Sequence, residues 1–198
     1  MNLANKLTVF RILLVPIMVI IPFFNIQGAW LGVPKEYCLI LLIFIIASIT
    51  DKLDGYIARS RNQITTFGKF LDPLADKILV ISALVMLVEF GKIPAWIPII
   101  VLAREFIVSG YRMLAVEKNG EVIAANMWGK VKTATQMVAI PLTFIDSFTF
   151  GAFLQDHLIG VYLVLNIAST LFMLVSVIAT VFSGWTYIKN GKELLNDK

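Results

Sequence analysis

The stretch from Asp51 to Lys77, DKLDGYIARSRNQITTFGKFLDPLADK, decides the fold because it places carboxylates at the facing ends of two apolar segments. Segments 37–56 and 70–90 are each long enough to span a bilayer as a helix. The aspartates at their adjoining ends are Asp51, Asp54, Asp72 and Asp76. Since ionisable groups at membrane depth are costly, their presence indicates a function.

The spacing of these residues predicts one polar face on each helix. Positions i, i+3, i+4 and i+7 share a face of an α-helix, as do positions i, i+4 and i+8. The first face holds Asp51, Asp54, Gly55 and Ala58, and the second holds Gly68, Asp72 and Asp76. If residues 59–67 reverse the chain, the helices are antiparallel neighbours and the four carboxylates converge.

Four converging carboxylates repel one another unless cations lie between them. Hard divalent cations prefer carboxylate oxygens, so we expect two such ions, Mg²⁺ or Mn²⁺. Two metals held in this way suit in-line phosphoryl transfer, because together they can clamp the attacking and the leaving oxygen.

The composition predicts a single membrane domain rather than a soluble one. The chain has 198 residues, of which 59% are hydrophobic and 15% charged. Six apolar stretches occur, at 7–26, 37–56, 70–90, 93–114, 124–144 and 158–188. We therefore expect an all-α integral membrane protein, a six-transmembrane-helix bundle with a polar cavity that faces the cytoplasm and is walled by spans two to five.

The distribution of basic residues predicts the orientation. With the N-terminus inside, only Lys35 and Lys92 fall in the outer connections, while the other connections and both ends carry the remaining flanking Lys and Arg residues. Both termini and the aspartates are therefore expected on the cytoplasmic side. The net charge of +4 reflects this asymmetry and fits anionic membrane lipids, so no nucleic-acid partner is expected.

The aspartate stretch resembles the CDP-alcohol phosphotransferase family, whose D-x2-D-G-x2-A-R-x8-G-x3-D-x3-D signature it reproduces without a departure. The signature residues are Asp51, Asp54, Gly55, Ala58, Arg59, Gly68, Asp72 and Asp76. The resemblance implies a membrane enzyme that displaces CMP from a CDP-activated alcohol with two divalent metals. It implies that all four aspartates bind metal and that Asp76 is also the general base. It further implies a bacterial cytoplasmic membrane and a homodimer.

The remaining signature residues are implied to bind the CDP group. Small side chains at Gly55 and Ala58 leave room for the nucleotide beside the backbone, although small residues also let helices pack closely. Arg59 could donate charge-assisted hydrogen bonds to the diphosphate. Gly68 is assigned to the same CDP site.

A second set of charged residues predicts a cationic pocket. Arg104 lies well inside an apolar run, and Arg112 follows two turns later, about 80° away around the helix. Pairing of Arg104 with Glu105 is not expected, because adjacent residues on a helix point apart. Lys130 and Lys132 begin the fifth span; taken alone they are ordinary flanking charges, but with the arginines they favour an anionic acceptor.

Two local runs narrow the resemblance to family members that use CDP-diacylglycerol and sn-glycerol 3-phosphate. One is AREFIVSGYR, and the other is the N-x2-T-x2-R pattern of Asn5, Thr8 and Arg11. Arg11 lies about one turn inside the first span, so it either extends to the interface or contacts the substrate phosphate.

The expected reaction is therefore transfer of a phosphatidyl group from CDP-diacylglycerol to sn-glycerol 3-phosphate. Inositol phosphate is the alternative acceptor, since it too would need a basic pocket. A divalent-cation transporter is the alternative from another class, but the acids cluster toward one side and the outer halves of the spans hold no matching polar path.

Overall fold

The computed structural model describes residues 3–60, 66–119, 126–155 and 157–190. Within its helices, the side chains of residues 3–5, 52–60, 66–70, 72–73, 116–119 and 190 lie outside the described part. The long helices of the described part are α1 (Leu3–Ile20), α2 (Lys35–Ser60), α3 (Thr66–Glu89), α4 (Trp96–Asn119), α5 (Met127–Ile145) and α6 (Val161–Asn190). The prediction of an all-α protein is confirmed.

Short elements join some of these helices. A 3-10 turn, Ile21–Phe24, extends α1, and a second, Ala152–Leu154, precedes α6. A two-stranded antiparallel hairpin, β1 (Ala29–Trp30) and β2 (Val33–Pro34), connects α1 to α2. Its two-residue loop has positive φ at both Leu31 (52°) and Gly32 (83°), the tight reversal that suits a twisted hairpin and favours glycine.

Two helical stretches in the described part can cross a bilayer on length and composition: Lys6–Phe24, with mean hydropathy 2.4, and Val161–Lys189, with mean hydropathy 2.2. The other four helices carry ionisable residues within their length, among them Asp51, Asp76, Arg104 and Lys132. The apolar helices support a membrane protein, and the count of six spans stays a prediction.

The chain divides into two compact units. Unit 1 comprises Met1–Phe90 and Phe144–Ser147, and unit 2 comprises Gly91–Thr143 and Phe148–Lys198. In unit 1, α1 packs against α2 and α3, and α2 also packs against α3. Tyr37, Phe90 and Phe144 form an aromatic group with ring centroids 4.5–6.5 Å apart. This packing fixes the helices that carry the aspartates.

In unit 2, α4 packs directly against α6. The buried side of α6 carries recurring polar residues, at intervals of three or four positions from Ser176 onward, although the helix is otherwise apolar. Its buried polar residues are Asn166, Ser169, Thr170, Ser176, Thr180, Ser183 and Tyr187. The outward side carries exposed apolar residues such as Val164 and Trp185, so the helix is suited to lipid on one side and polar partners on the other.

Asn166 illustrates how this polar side is used. Its side chain is fully buried, accepts a hydrogen bond from the Phe153 backbone at 2.9 Å and donates one to the Thr149 carbonyl at 3.0 Å. Thr170 accepts from the Gly151 backbone at 3.0 Å. At this end of α6 the polar residues therefore satisfy the backbone of the preceding loop.

Candidate active site

The signature residues fall on α2 and α3 as their spacing predicts. Asp51 lies on α2 with its side chain 36% exposed, and Asp76 lies half-buried on α3. The side chains of the other six signature residues lie outside the described part: Asp54, Gly55, Ala58, Arg59, Gly68 and Asp72. Convergence of the four carboxylates therefore stays a prediction.

Asp51 is paired with Arg11 from α1. The Arg11 guanidinium Nη1 donates to Asp51 Oδ1 at 2.6 Å, and the arginine is fully buried. The buried contact with Asp51 favours a role for Arg11 within the protein over extension to the interface. The sequence suggested a phosphate partner for Arg11 and gave no sign of this aspartate, which lies 40 positions away. Thr8, one turn before Arg11, is buried as well, and the Asn5 side chain lies outside the described part.

The donor chemistry of this region fits a hard divalent cation. Asp51, whose Oδ1 accepts from Arg11, supplies carboxylate oxygens of the type that Mg²⁺ and Mn²⁺ prefer. The described residues contain no group of three or more Asp, Glu, His or Cys side chains that could hold a metal, and only two of the four aspartates have described side chains.

In unit 2, a second group of charged side chains centres on Arg104, and we call it the Arg104 cluster. Its members are Arg104 and Glu105 on α4, Asn126 and Lys132 at the start of α5, and Ser183 on α6. Glu105 Oε1 accepts from Arg104 Nη1 at 2.9 Å and from Lys132 Nζ at 2.8 Å. The three charged side chains are only 9–12% exposed.

The expectation that Arg104 does not pair with Glu105 was wrong. The Cβ atoms of adjacent helical residues do diverge, but the long guanidinium chain reaches back to the carboxylate. Lys132, from another helix, holds that carboxylate from a second direction. The pocket is therefore not purely cationic, because Glu105 neutralises one of its two positive charges.

Packing around Arg104 explains how its side chain is positioned. Its Nη2 donates to Ser183 Oγ at 2.6 Å. A Cβ added at Gly129 would lie 3.2 Å from Arg104 Nη2, and one added at Gly184 would lie 3.4 Å from its Cγ. Asn126 caps α5 by accepting from the Gly129 backbone at 2.8 Å. Gly129 thus leaves room for the guanidinium, and Gly184 lies beside the aliphatic part of the same side chain.

The other basic residues predicted for the pocket, Arg112 and Lys130, do not join the Arg104 cluster. Arg112 Nη2 donates to Tyr187 Oη at 3.1 Å, and its guanidinium carbon lies 5.7 Å from the centre of that ring. Lys130 is exposed and lies about 200° around α5 from Lys132. The structure therefore brings Arg104 and Lys132 together, holds Arg112 against α6, and does not bury Lys130.

Three buried nitrogens in unit 2 lack a hydrogen-bond partner among the described residues: Arg104 Nε, Arg112 Nε and Gln136 Nε2. All three are donors, and leaving a buried donor unsatisfied costs about 1–3 kcal/mol. Each of them requires a hydrogen-bond acceptor, which favours anionic or oxygen-rich ligands at these positions.

Sequence reasoning missed the contributions of α6. Ser183 accepts from Arg104, and Tyr187 accepts from Arg112. The signal that could have found them is the recurrence of polar residues every three or four positions along an apolar segment. Asn126, which donates to the Ser183 carbonyl at 3.4 Å, carried no comparable signal.

Comparisons with known proteins identify the family. The family model described as CDP-alcohol phosphatidyltransferase matches residues 1–185. A CDP-diacylglycerol–glycerol-3-phosphate 3-phosphatidyltransferase of Bacillus subtilis is 42% identical, over 98% of this chain and 97% of its own length. The enzyme of the same name from Rickettsia felis is 34% identical, over 97% and 96%. A probable phosphatidylglycerophosphate synthase of Mycobacterium tuberculosis is 36% identical, over 94% and 80%.

Proposed function

Because the chain belongs to the CDP-alcohol phosphatidyltransferase family, we propose that it transfers a phosphatidyl group from CDP-diacylglycerol to sn-glycerol 3-phosphate. The products are phosphatidylglycerophosphate and CMP, and the reaction belongs to phospholipid biosynthesis. The observation that carries this proposal is the 42% identity, over nearly the full length of both chains, with an enzyme named for that reaction.

The four aspartates would hold two divalent cations, Mg²⁺ or Mn²⁺. When bound, such cations neutralise diphosphate charge during in-line displacement. The residues assigned to them are Asp51, Asp54, Asp72 and Asp76. Arg11 keeps the Asp51 carboxylate in place through its bond to Oδ1, and the other oxygen of Asp51 remains for a cation.

Asp76 is assigned the proton transfer. Its carboxylate accepts the proton of the glycerol hydroxyl as that oxygen attacks the lipid-linked phosphorus. A new phosphorus–oxygen bond forms, the bond to the CMP phosphate oxygen breaks, and CMP leaves with the electron pair. Arg59 would donate to the departing phosphate, while Gly55, Ala58 and Gly68 would leave room for the nucleotide.

The acceptor phosphate is assigned to basic residues of unit 2. The hydrogen-bond donors to this phosphate would come from Arg104, Arg112 and Lys132. The Nε atoms of both arginines have no partner among the described residues, which supports an anionic ligand. Lys130, which is exposed, would attract the acceptor phosphate electrostatically without contacting it. A direct phosphate contact by Arg11, Thr8 or Asn5 stays a prediction, and the contact with Asp51 favours the aspartates as the place where Arg11 acts.

The cellular setting is part of the proposal. Six spans, cytoplasmic termini and a cytoplasmic active site in a bacterial membrane would place the reaction where both substrates are available. We also propose that the protein is a homodimer. Inositol phosphate is the remaining alternative acceptor, and a transporter is disfavoured because the similar curated proteins are named as transferases.

The test is CMP release by the purified protein in detergent with CDP-diacylglycerol, with and without Mg²⁺ or Mn²⁺. Glycerol 3-phosphate, inositol 1-phosphate, free inositol and serine are supplied separately. We expect release that requires both metal and glycerol 3-phosphate. Release only with another acceptor would contradict the acceptor assignment, and metal flux into sealed vesicles without CMP release would favour the transporter.

A further inference from the structure

Gln136 carries a buried amide nitrogen that no described residue satisfies. It lies on the buried side of α5, one turn after Lys132 and one turn before Ile140. Only 2% of the residue is exposed, and its Nε2 has no hydrogen-bond partner among the described residues. Since this donor pair is removed from solvent without a partner, its burial costs free energy.

Several other buried polar residues of unit 2 are bonded within the chain, although Arg104 Nε, Arg112 Nε and Ser176 Oγ, like Gln136 Nε2, have no partner among the described residues. Thr143 and Thr180 donate to carbonyls of their own helices at 2.8 and 2.6 Å, and Asn166 is bonded through both its oxygen and its nitrogen. The longer glutamine side chain lacks the short hydroxyl that makes such local bonds. Because buried donors are rarely left unpaired, Gln136 Nε2 points to a partner beyond the described residues, and a bound ligand can be that partner.

We infer that Gln136 is a specificity-determining residue that binds the non-reacting C2 hydroxyl of the glycerol 3-phosphate acceptor. This inference rests on the proposed function. Lys132 and Gln136 are separated by one helical turn, about 6 Å along the axis. That rise is comparable with the distance from the phosphate to the hydroxyls of a three-carbon phosphomonoester. When the acceptor phosphate is bound by Lys132 and Arg104, the carbon chain of the acceptor extends along α5 and its C2 hydroxyl reaches the Gln136 amide.

The chemistry of the amide suits a hydroxyl. Nε2 donates to the hydroxyl oxygen, and the amide oxygen can accept the hydroxyl proton. A site built to bond a hydroxyl discriminates strongly against a substrate that lacks it, because its polar group is then left unpaired. Gln136 thus distinguishes glycerol 3-phosphate from shorter or deoxygenated phosphomonoesters.

The experiment compares two acceptors and two variants. The acceptors are sn-glycerol 3-phosphate and 3-hydroxypropyl phosphate, which lacks only the C2 hydroxyl. Gln136→Met keeps the length of the side chain but removes its hydrogen-bonding groups. Gln27→Met is the matched control, because Gln27 is exposed in the connection between α1 and α2.

We expect the parent and the Gln27 variant to prefer glycerol 3-phosphate strongly in kcat/KM. Gln136→Met should lose about tenfold in kcat/KM for glycerol 3-phosphate, little for 3-hydroxypropyl phosphate, and little in KM for CDP-diacylglycerol. Because Nε2 has no partner among the described residues, the thermal unfolding temperature should stay the same or rise. The added stabilisation by glycerol 3-phosphate over inorganic phosphate, measured without CDP-diacylglycerol, should disappear.

Retention of the acceptor preference by Gln136→Met would overturn the inference. A lower unfolding temperature with an equal loss for both acceptors would also overturn it, since that result indicates a structural role. If the Met variant does not fold, Gln136→Asn carries the test, because the shortened amide should still lose the preference. Failure of the parent to use glycerol 3-phosphate would instead contradict the proposed function itself.

Discussion

The aspartate helices of unit 1 and the Arg104 cluster of unit 2 are opposite in charge. In unit 1, one buried arginine, Arg11, contacts an aspartate of a four-aspartate signature. In unit 2, one carboxylate, Glu105, contacts two cations, Arg104 and Lys132. If the four aspartates converge as predicted, the first region has surplus negative charge and needs cations, while the second, with two cations and one carboxylate, has surplus positive charge and needs an anion.

The two ion pairs also show that a buried pair can serve to position a charged group rather than to stabilise the fold. Such a pair contributes little net stability, because desolvation offsets the attraction, but removing one partner is strongly destabilising. Arg11 carries the charge opposite to that of the aspartate it contacts, and Glu105 carries the charge opposite to that of Arg104 and Lys132. We interpret both as residues that position a ligand-binding group, the Asp51 carboxylate in one case and the Lys132 ammonium in the other.

The largest effect is expected at Asp76. Asp76→Asn removes the proposed base and a proposed metal ligand together, so CMP release should fall by at least about 10²–10⁴-fold. The fold should persist, measured as the elution volume and unfolding temperature in detergent. Glu89→Gln, at the exposed end of α3, is the matched control. Substantial retained turnover would remove Asp76 as the base and weaken the contrast between the two regions.

Sequence alone predicted the features that depend on local spacing. The helical placement of the signature follows from apolar length and from the 3.6-residue repeat, and both are read directly from the chain. The Arg11–Asp51 pair could not be predicted, because its partners are 40 positions apart and are matched by packing of α1 against α2. Nothing in the residues around Arg11 distinguishes an aspartate partner from a phosphate.

The Arg104–Glu105 prediction failed for a different reason. It considered the direction of the Cβ atoms and neglected the reach of a guanidinium and the second contact from Lys132. Sequence could have suggested the contribution of α6, since Ser183 and Tyr187 follow the polar repeat of that helix. It could not assign Arg104 and Arg112 to them individually.

The second effect concerns stability in the Arg104 cluster. Glu105→Ala leaves two cations buried without their carboxylate, which should cost about 3–5 kcal/mol in unfolding free energy. Because Lys132 loses its partner, Glu105→Ala combined with Lys132→Met should recover part of that loss. Denaturant unfolding of the parent, both single variants and the double variant measures the coupling. Additive losses would show that Glu105 does not position Lys132.

The third effect tests whether divalent metal can replace the ion pair of Arg11 and Asp51 in unit 1, as it should not replace the pairs in the Arg104 cluster. Arg11→Met should lower the unfolding temperature without metal, because Asp51 loses its partner. Saturating Mg²⁺ should restore much of the loss, since a cation can take over the neutralisation of the aspartates. Glu105→Ala serves as the comparison, because Mg²⁺ should not restore it. Equal responses of both variants to Mg²⁺ would break the proposed distinction.

The fourth effect concerns the acceptor. Arg112→Ala removes a charged donor from the proposed phosphate site, so KM for glycerol 3-phosphate should rise by about 10–100-fold. KM for CDP-diacylglycerol should change much less. Steady-state CMP release, with each substrate varied in turn, separates the two constants. Equal increases in both would argue against an acceptor-phosphate role for Arg112.

The smallest effect is expected at the residue that holds Arg112. Tyr187→Phe removes the hydroxyl that accepts from Nη2 at 3.1 Å but keeps an aromatic face under the guanidinium. Since a single hydrogen bond contributes about 0.5–1.5 kcal/mol, KM for glycerol 3-phosphate should rise only about two- to tenfold. In an Arg112→Ala background the same change should have no further effect on that KM. An undiminished effect there would mean that Tyr187 contacts the acceptor itself rather than positioning Arg112.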